Sequence, residues 1–508
     1  MNALKRLAGC AAAAAAVGLL ALGLAQPAQA DDKELVIAYH ADLPSWDPSL
    51  NFPEGQAIFK TVFDAPLMQE RSLKIIPHAI SAWEYVGGDP LTLRLNFRDD
   101  ITFHNGDKLT AEDFKFSFQE RVASETLDFG GIWAGYIKDI EIVSPTEAIV
   151  HFNAPMPTAL EWWAFLGSYI LPKKYYMEVG RDGFLKNPVG SGPYRFVDYQ
   201  RGSRIVLEAY DGYWGGAPAI KRVTYEILPD APARVAAVQS GRADVATNIP
   251  IREALRLDGE EGLTGKAFPV TRVFYLQIAN KNEMNNADIR AAMHHAIDKK
   301  AISERLYSGK TPPLALTVPQ YSPGHVEDYW FPYDPDKAIE LLAKHGYGPD
   351  NPVTFQFMTS NGAFANDFEM ARAISGMWKR VGIDAPPEVI ELSKYYELNN
   401  TESQPEVFLY SWDNSTGDPE IFTGYMFHGD FPFGSWREEK ITAWLRDLFT
   451  MADYDKRIQQ YKELNVHVSE ESKAIPLVQS AMSVAHKDDV VFDPFPQGWV
   501  MPYFMDRM

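Results

Sequence analysis

Cysteine is nearly absent: the 508 residues hold one, Cys10. A single cysteine excludes disulfides within the chain and metal sites built on thiolate clusters. Long apolar runs are scarce as well. One extends from Leu7 to Leu24, and nothing after it is long enough to span a bilayer. Basic residues are in deficit, with 48 Lys and Arg against 68 Asp and Glu and a net charge of -20. Phosphate backbones require clustered Lys and Arg, so this balance speaks against a nucleic-acid partner and in favour of solubility. Low-complexity linkers and short-period repeats are missing, although Gly and Pro number 35 each. Compact domains that share chain segments are expected, not beads on a string. The chain has no H-E-x-x-H and no P-loop, and Ser191 lacks the flanks of a nucleophile elbow. Acidic residues are too numerous to single out a glycosidase pair, which leaves an exported hydrolase as the alternative of another class.

What is present starts with the first thirty residues. Lys5 and Arg6 precede the apolar run, Ala28-Gln29-Ala30 closes it, and Asp31-Asp32 follow. A positive start, an apolar middle and an A-x-A site make a secretory signal peptide over residues 1–30, cleaved before Asp31. A membrane anchor is the competing reading of such a run; Pro27 and the small residues at the cleavage position favour removal. Leu7-Ala8-Gly9-Cys10 matches a lipoprotein box only superficially, because the apolar stretch follows the Cys and does not precede it. The expected product is soluble, cysteine-free and periplasmic. Residues 31–508 exceed what one core holds, so two or three domains are expected.

Short strands alternate with amphipathic helices. Glu34 to Tyr39, Leu91 to Phe97, Ile205 to Ala209 and Val223 to Ile227 read as strands. Thr110 with Asp113 three residues on reads as a helix start, followed by Phe114, Phe118 and Val122 on one face. Ala231 to Ser240, stopped by Gly241, and Asp334 to His345 and Phe368 to Val381 read as helices. Asp288 to Tyr307 reads as one long helix, with Ile289, Met293, Ile297 and Ile302 near one face. The pattern is α/β.

Several stretches together resemble one family. Phe103-His104-Asn105-Gly106-Asp107 runs on to Leu109-Thr110-Ala111-Glu112-Asp113. Val189-Gly190-Ser191-Gly192-Pro193-Tyr194 is followed by Tyr210-Asp211-Gly212-Tyr213-Trp214-Gly215-Gly216. Pro229-Asp230 leads to Val238-Gln239-Ser240-Gly241 and Asp244, and Arg290 to Asp298 and Tyr333 to Leu342 extend the match. In this order and spacing the chain resembles the family 5 extracellular solute-binding proteins, which include dipeptide-, oligopeptide- and nickel-binding subunits of ABC importers. The resemblance implies an α/β, two-lobed periplasmic binding protein of the class II type, with three domains and a ligand cleft between the lobes that closes by a hinge. It implies domain I in three parts (31–70, 189–268 and 479–508), domain II over 71–188 and domain III over 269–478. It implies a receptor and not an enzyme: a monomer, without a cofactor, that captures a peptide or peptide-like solute and docks on ABC permease subunits in the inner membrane. A sugar, an opine or a metal chelate are the alternatives within the family. The motif residues themselves read as structural, Gly190 and Gly192 as a tight turn left through Pro193, and the aromatics of Tyr210 to Gly216 as buried area.

The foremost site candidate is Tyr410 to Pro419, between a strand ending near Tyr410 and a helix after Pro419; strand ends are where α/β folds place ligands. In peptide-binding members of the family this stretch reads W-x-x-D-x-x-[DE]-P, its Trp packing on the ligand and its Asp pairing with the α-ammonium. Trp412, Asp418 and Pro419 match. The anchoring position holds Ser415, and Asp413 lies two residues earlier. Dipeptide-binding members carry an Arg near Phe357 to Gly362 that clamps the carboxylate. No Arg occurs between Asn351 and Glu369, and Asn361 offers only uncharged hydrogen bonds. Glu54 and Gly55 lie where the family places an early segment that pairs with ligand backbone, and Glu54 is a further ammonium partner. The ligand-binding candidates are thus Trp412, Asp413, Ser415, Asn361, Glu54 and Gly55, with no metal ligand. With both ionic anchors missing from their expected places, the ligand is expected to lack tightly held charged ends, and Trp412 to matter more than Asp413. Trp162-Trp163 is weighed as a lining of the cleft, against the commoner split of adjacent aromatics between core and surface. His294-His295 is read as no metal pair, since adjacent helical residues diverge by about 100°.

Overall fold

Glu34 to Tyr39 alternates into a buried strand, β1 (Glu34–Tyr39), and sits inside the main sheet. The structure, a computed structural model, describes residues 34–508 except 51, 129, 166, 362, 392, 393, 396, 399–402 and 432–433. The signal segment and its A-x-A site lie outside the described residues. After β1 comes a hairpin of β2 (Leu67–Gln69) and β3 (Ile75–Pro77). A four-stranded antiparallel sheet follows: β4 (Ile80–Tyr85), β5 (Thr92–Phe97), β6 (Ile137–Ser144) and β7 (Glu147–Phe152), in the order β4-β5-β7-β6. In β5, Leu93, Leu95 and Phe97 are buried while their neighbours are half-exposed, as a sheet packed on one face requires. Thr110 and Asp113 form the expected capping box at the start of the helix Ala111–Lys115.

The main sheet has ten strands. Its remaining members are β8 (Tyr194–Gln200), β9 (Arg204–Ala209), β10 (Arg222–Ile227), β11 (Val245–Thr247), β12 (Leu263–Ile278), β13 (Phe357–Thr359), β14 (Pro387–Val389), β15 (Val407–Asp413) and β16 (Ala474–Lys487). The order is β14-β13-β15-β12-β16-β11-β1-β10-β9-β8. β12 and β16 are the longest, at 16 and 14 residues, and pair with each other antiparallel. Leu263 to Pro269 pair with Lys487 to Ala481, then the ladder slips, and Val273 faces Gln479. Such a slip bends a strand pair and re-aims its side chains. On one side of the slip a core forms around Leu35, Phe59, Phe63, Tyr225 and Val484. On the other side a second core joins Phe274, Leu276, Leu409 and Leu477 to Leu93, Leu95 and Val150 of the four-stranded sheet. Two lobes thus meet where β12 and β16 cross between them.

Several motif residues find their reason here. Asp64 is buried and accepts hydrogen bonds from Tyr213 Oη (3.3 Å) and Trp214 Nε1 (3.1 Å), so the aromatic box is tied to the end of the helix Gln56–Val62. Gly190 and Gly192 do not make the positive-φ turn expected of them. A Cβ on Gly190 would lie 2.0 Å from the Val62 carbonyl oxygen, and one on Gly192 2.7 Å from the Val62 carbonyl carbon, so close backbone approach is what excludes a side chain. The single helix expected over Asp288–Tyr307 is two, Ala287–His295 and Lys299–Tyr307. Asp298 breaks it: at ψ 86 it leaves the helical region, and its carboxylate accepts from Ala301 N to cap the second helix. Trp162 and Trp163 are both buried, not split. His294 and His295 both pack on Phe331, at 3.5 and 4.6 Å, and their Nδ1 atoms bond Ser472 Oγ and the Pro332 carbonyl respectively.

Candidate functional site

At the slip between β12 and β16 lies a cavity of about 570 Å³. The end of β1 contributes Tyr39 and His40, β12 contributes Val270 and Arg272, β15 ends at it with Asp413, and β16 supplies Ser480 to Ser483. Glu54, Arg234, Asn248, Ala363 to Asn366 and Gln497 to Trp499 complete the wall. Both lobes therefore line it, and its size falls within the usual range of small-ligand sites.

Charges of both signs face this space. Asp413 is held by two hydroxyls: Thr271 Oγ1 donates to Oδ1 (2.7 Å) and Ser415 Oγ to Oδ2 (2.5 Å). An ionised carboxylate accepts about four hydrogen bonds, so capacity remains for a donor from the ligand. Arg272 is the cross-strand neighbour of Asp413. Its Nη1 donates to the Ser411 carbonyl (3.1 Å) and its guanidinium lies 5.5 Å over the Phe364 ring. No carboxylate pairs with Arg272 among the described residues. Four of the five guanidinium N–H groups stay available to an anion.

A second cationic corner is more fully committed. Arg234, 3 % exposed, donates to the carbonyls of Leu228, Pro229, Thr247 and Asn248 at 2.6–2.8 Å, and burial lowers its pKa. Asn248 Nδ2 donates to His40 Nε2 (2.9 Å), which leaves Nδ1 carrying the ring proton. That Nδ1 is buried without a partner. Burial, and then the charge of Arg234, hold His40 down at about 3, so the ring is a neutral donor at physiological pH.

The sequence candidates distribute unevenly around this space. Asp413 and Glu54 line it. Ser415 is buried beside it and supports the Asp413 carboxylate. Gly55 packs behind Glu54, where a Cβ would lie 2.7 Å from Leu43 and Phe52. Trp412 is not among the lining residues; it packs edge-on against Tyr410 (6.1 Å) and Phe422 (6.4 Å). Asn361 is exposed, and Ala363 to Asn366 line the cavity from that segment. Sequence reasoning looked for a cation within residues 351–369 and missed Arg272, Arg234, His40 and Trp499. The one local signal was Asp230, which caps the helix Ala231–Gln239 and so sets Arg234 on its first turn.

Comparison with known proteins places this geometry. The family described as "Bacterial extracellular solute-binding proteins, family 5 Middle" matches residues 74–432. The chain is similar to a heme-binding protein A of Haemophilus influenzae, 26% identical over 80% of each chain. It is similar to a dipeptide-binding protein of Escherichia coli, 25% identical over 94% of this chain and 96% of that one. Its fold matches that of the periplasmic binding protein DppA from Helicobacter pylori, solved in complex with the peptide STSA. The TM-score is 0.79 at 21% identity, over 93% and 97% of the two chains.

Proposed function

The chain belongs to the bacterial extracellular solute-binding proteins of family 5, and from that membership we propose that it is the capture subunit of an ABC importer for a peptide or peptide-like solute. The observation that carries this reading is the cavity at the lobe junction, with Asp413 and Glu54 as anions and Arg272 as a cation free of any carboxylate partner among the described residues. A zwitterion entering such a space loses water from both ends, and an unpaired buried charge costs several kcal/mol. Asp413 would take the ammonium and Arg272 the carboxylate. These groups fill, from other positions, the roles of the two anchors missing from the family pattern. They support a ligand with charged ends over the end-free ligand that the sequence pattern favours. Relatives named for dipeptide and glutathione binding agree with a peptide-like class.

Capture would proceed by hinge motion. β12 and β16 are the strands that cross between the lobes, and their register slip at Pro269/Val273 supports a bend there. The same slip supports domain boundaries near 268/269 and 478/479. Gln69 Nε2 donates to the Thr416 carbonyl (2.6 Å) and Gln497 Nε2 approaches the Ser415 carbonyl (3.5 Å), contacts that link the lobes when closed. The closed form would dock on permease subunits, and ligand would leave unchanged. No helix among the described residues is long and apolar enough to cross a membrane. Export by the signal segment predicts an unlipidated mature N-terminus at Asp31, which N-terminal sequencing reads directly.

Mass spectrometry of the ligand that co-purifies, followed by calorimetry with that compound, tests the reading. A peptide or peptide-like solute bound one-to-one and recovered intact is the expected result. A turned-over substrate, or no saturable binding of any peptide, would overturn it.

A further inference from the structure

We propose that a second cavity, of about 600 Å³ and lying beneath Trp499 in the first lobe, is a separate binding chamber for an apolar or aromatic carboxylate. It shares no lining residue with the cleft cavity. The wall between them is one side chain thick. Lys60, which lines the lower chamber, holds its ammonium 4.7 Å from the ring of Trp499, which lines the cleft. Gln69 below bonds Gln497 above at 3.1 Å.

The chemistry of the chamber names its ligand. Phe63, Leu67, Ile76, Trp214, Phe495 and Phe504 make its sides apolar and largely aromatic. Gln69, Glu70, Arg71, Ser72 and His78 line the rest of the chamber, so the apolar body of a guest would lie against the aromatic sides. Lys60 is the cation on that apolar side; Glu70, which also lines the chamber, accepts from Ser72 Oγ at 2.6 Å and not from Lys60. Lys60 is 8 % exposed, and its Nζ donates to the Ala164 carbonyl at 2.9 Å. Tyr169 and Trp499 present ring faces to it at 5.7 and 4.7 Å. No carboxylate pairs with it among the described residues. Asp64, one turn along the same segment, is occupied by His78 (2.8 Å), Tyr213 and Trp214. An ammonium has three donors, and one is spent. Burial lowers Lys60 to about 7, and a carboxylate seated beside it would favour the charged form again. Arg71, also on the chamber, is already paired with Asp493 at 2.9 Å and stacked on Phe495 at 4.6 Å. A ligand that fits has a flat or aliphatic body of roughly ten heavy atoms and one carboxylate directed at Lys60.

Calorimetry on the exported protein with 1-naphthylacetate and its uncharged analogue 2-(1-naphthyl)ethanol is the test. The acid should bind one-to-one, and at least tenfold more tightly than the alcohol. Lys60→Met should bring the two within threefold of each other. Arg272→Met removes the cleft cation and so separates the chambers. Unchanged affinity for the acid in that variant places the probe beneath Trp499, and a tenfold loss places it in the cleft and overturns the proposal. Absence of saturable binding, or equal affinity for acid and alcohol in the unaltered protein, overturns it as well, whether or not Lys60→Met folds.

Discussion

Asp413 and Trp412 are adjacent in sequence and do different work. The carboxylate of Asp413 lines the cleft and is aligned by Thr271 and Ser415, whereas Trp412 packs against Tyr410 and Phe422. A charged hydrogen bond to a buried group contributes about 1.5–3 kcal/mol. Asp413→Asn should therefore weaken a ligand with a free ammonium by roughly 10–100-fold, and leave its N-acetylated form within threefold. Arg272→Met should do the same for a free carboxylate and spare the amide. Trp412→Ala should lower the melting temperature through lost packing and change affinity little. Titration calorimetry beside thermal melts separates these outcomes, and an affinity loss for Trp412→Ala that exceeds that for Asp413→Asn would return Trp412 to the ligand. Gln69 shows why its part was not legible: an amide that bonds a carbonyl hundreds of residues away leaves no local pattern.

At the scale of elements, the helix Ala159–Ala164, the segment Asp418 to Glu420 and the helix Tyr454–Glu470 bring together three acids and one base. Arg457 donates to both oxygens of Asp418, at 3.0 and 2.5 Å, and stands 3.7 Å from Glu420. Thr158 donates to Glu420 at 2.7 Å. Oε2 of Glu161 is buried without a hydrogen-bond partner, and Oε2 of Glu420 has Arg457 at 3.7 Å. Tyr85, Tyr136, Tyr425, Tyr454 and Tyr461 surround the group and add no positive charge at neutral pH. Burial, with Asp418 adding to it, raises Glu161, and burial pushes Glu420 up to about 7 against the attraction of Arg457. The folded protein therefore keeps protons that the unfolded chain releases near 4.5, the ordinary glutamate value. Stability falls as pH rises through that window and is fully present only below it. The melting temperature should drop between pH 5 and pH 8, and Glu161→Gln should flatten the drop and be the more stable protein at pH 8. A melting temperature that rises over that range in the unaltered protein would show that these carboxylates are ionised and compensated.

For the molecule as a whole, the two lobes meet through β12, β16 and a few hydrogen bonds, among them Gln69 to Thr416. Ligand should therefore compact the protein in solution scattering, and at 100 times Kd should stabilise it by about 2.7 kcal/mol. Gln69→Ala should reduce affinity modestly and leave the unliganded melting temperature within a degree or two, because its partner carbonyl is rehydrated when the cleft opens. A stoichiometric ligand that leaves the scattering profile unchanged would contradict closure.

Helix starts, half-buried strands and the family signature were determined by the sequence itself, because each depends on neighbours a few residues away. Thr110 with Asp113 caps a helix whatever lies beyond, and the alternation of β5 states which face is buried. The break at Asp298 was the exception, where a capping side chain overrode a continuous apolar stripe. What lines the cleft was decided only in three dimensions. Arg272 reaches the cavity because β12 pairs with β15 in the register that sets it beside Asp413, far along the chain. Trp499 reaches it because the C-terminal segment returns to the first strands and sets the Trp499 ring over Lys60. Strand register is a property of the pair and not of either strand, so no reading of one segment at a time contains it.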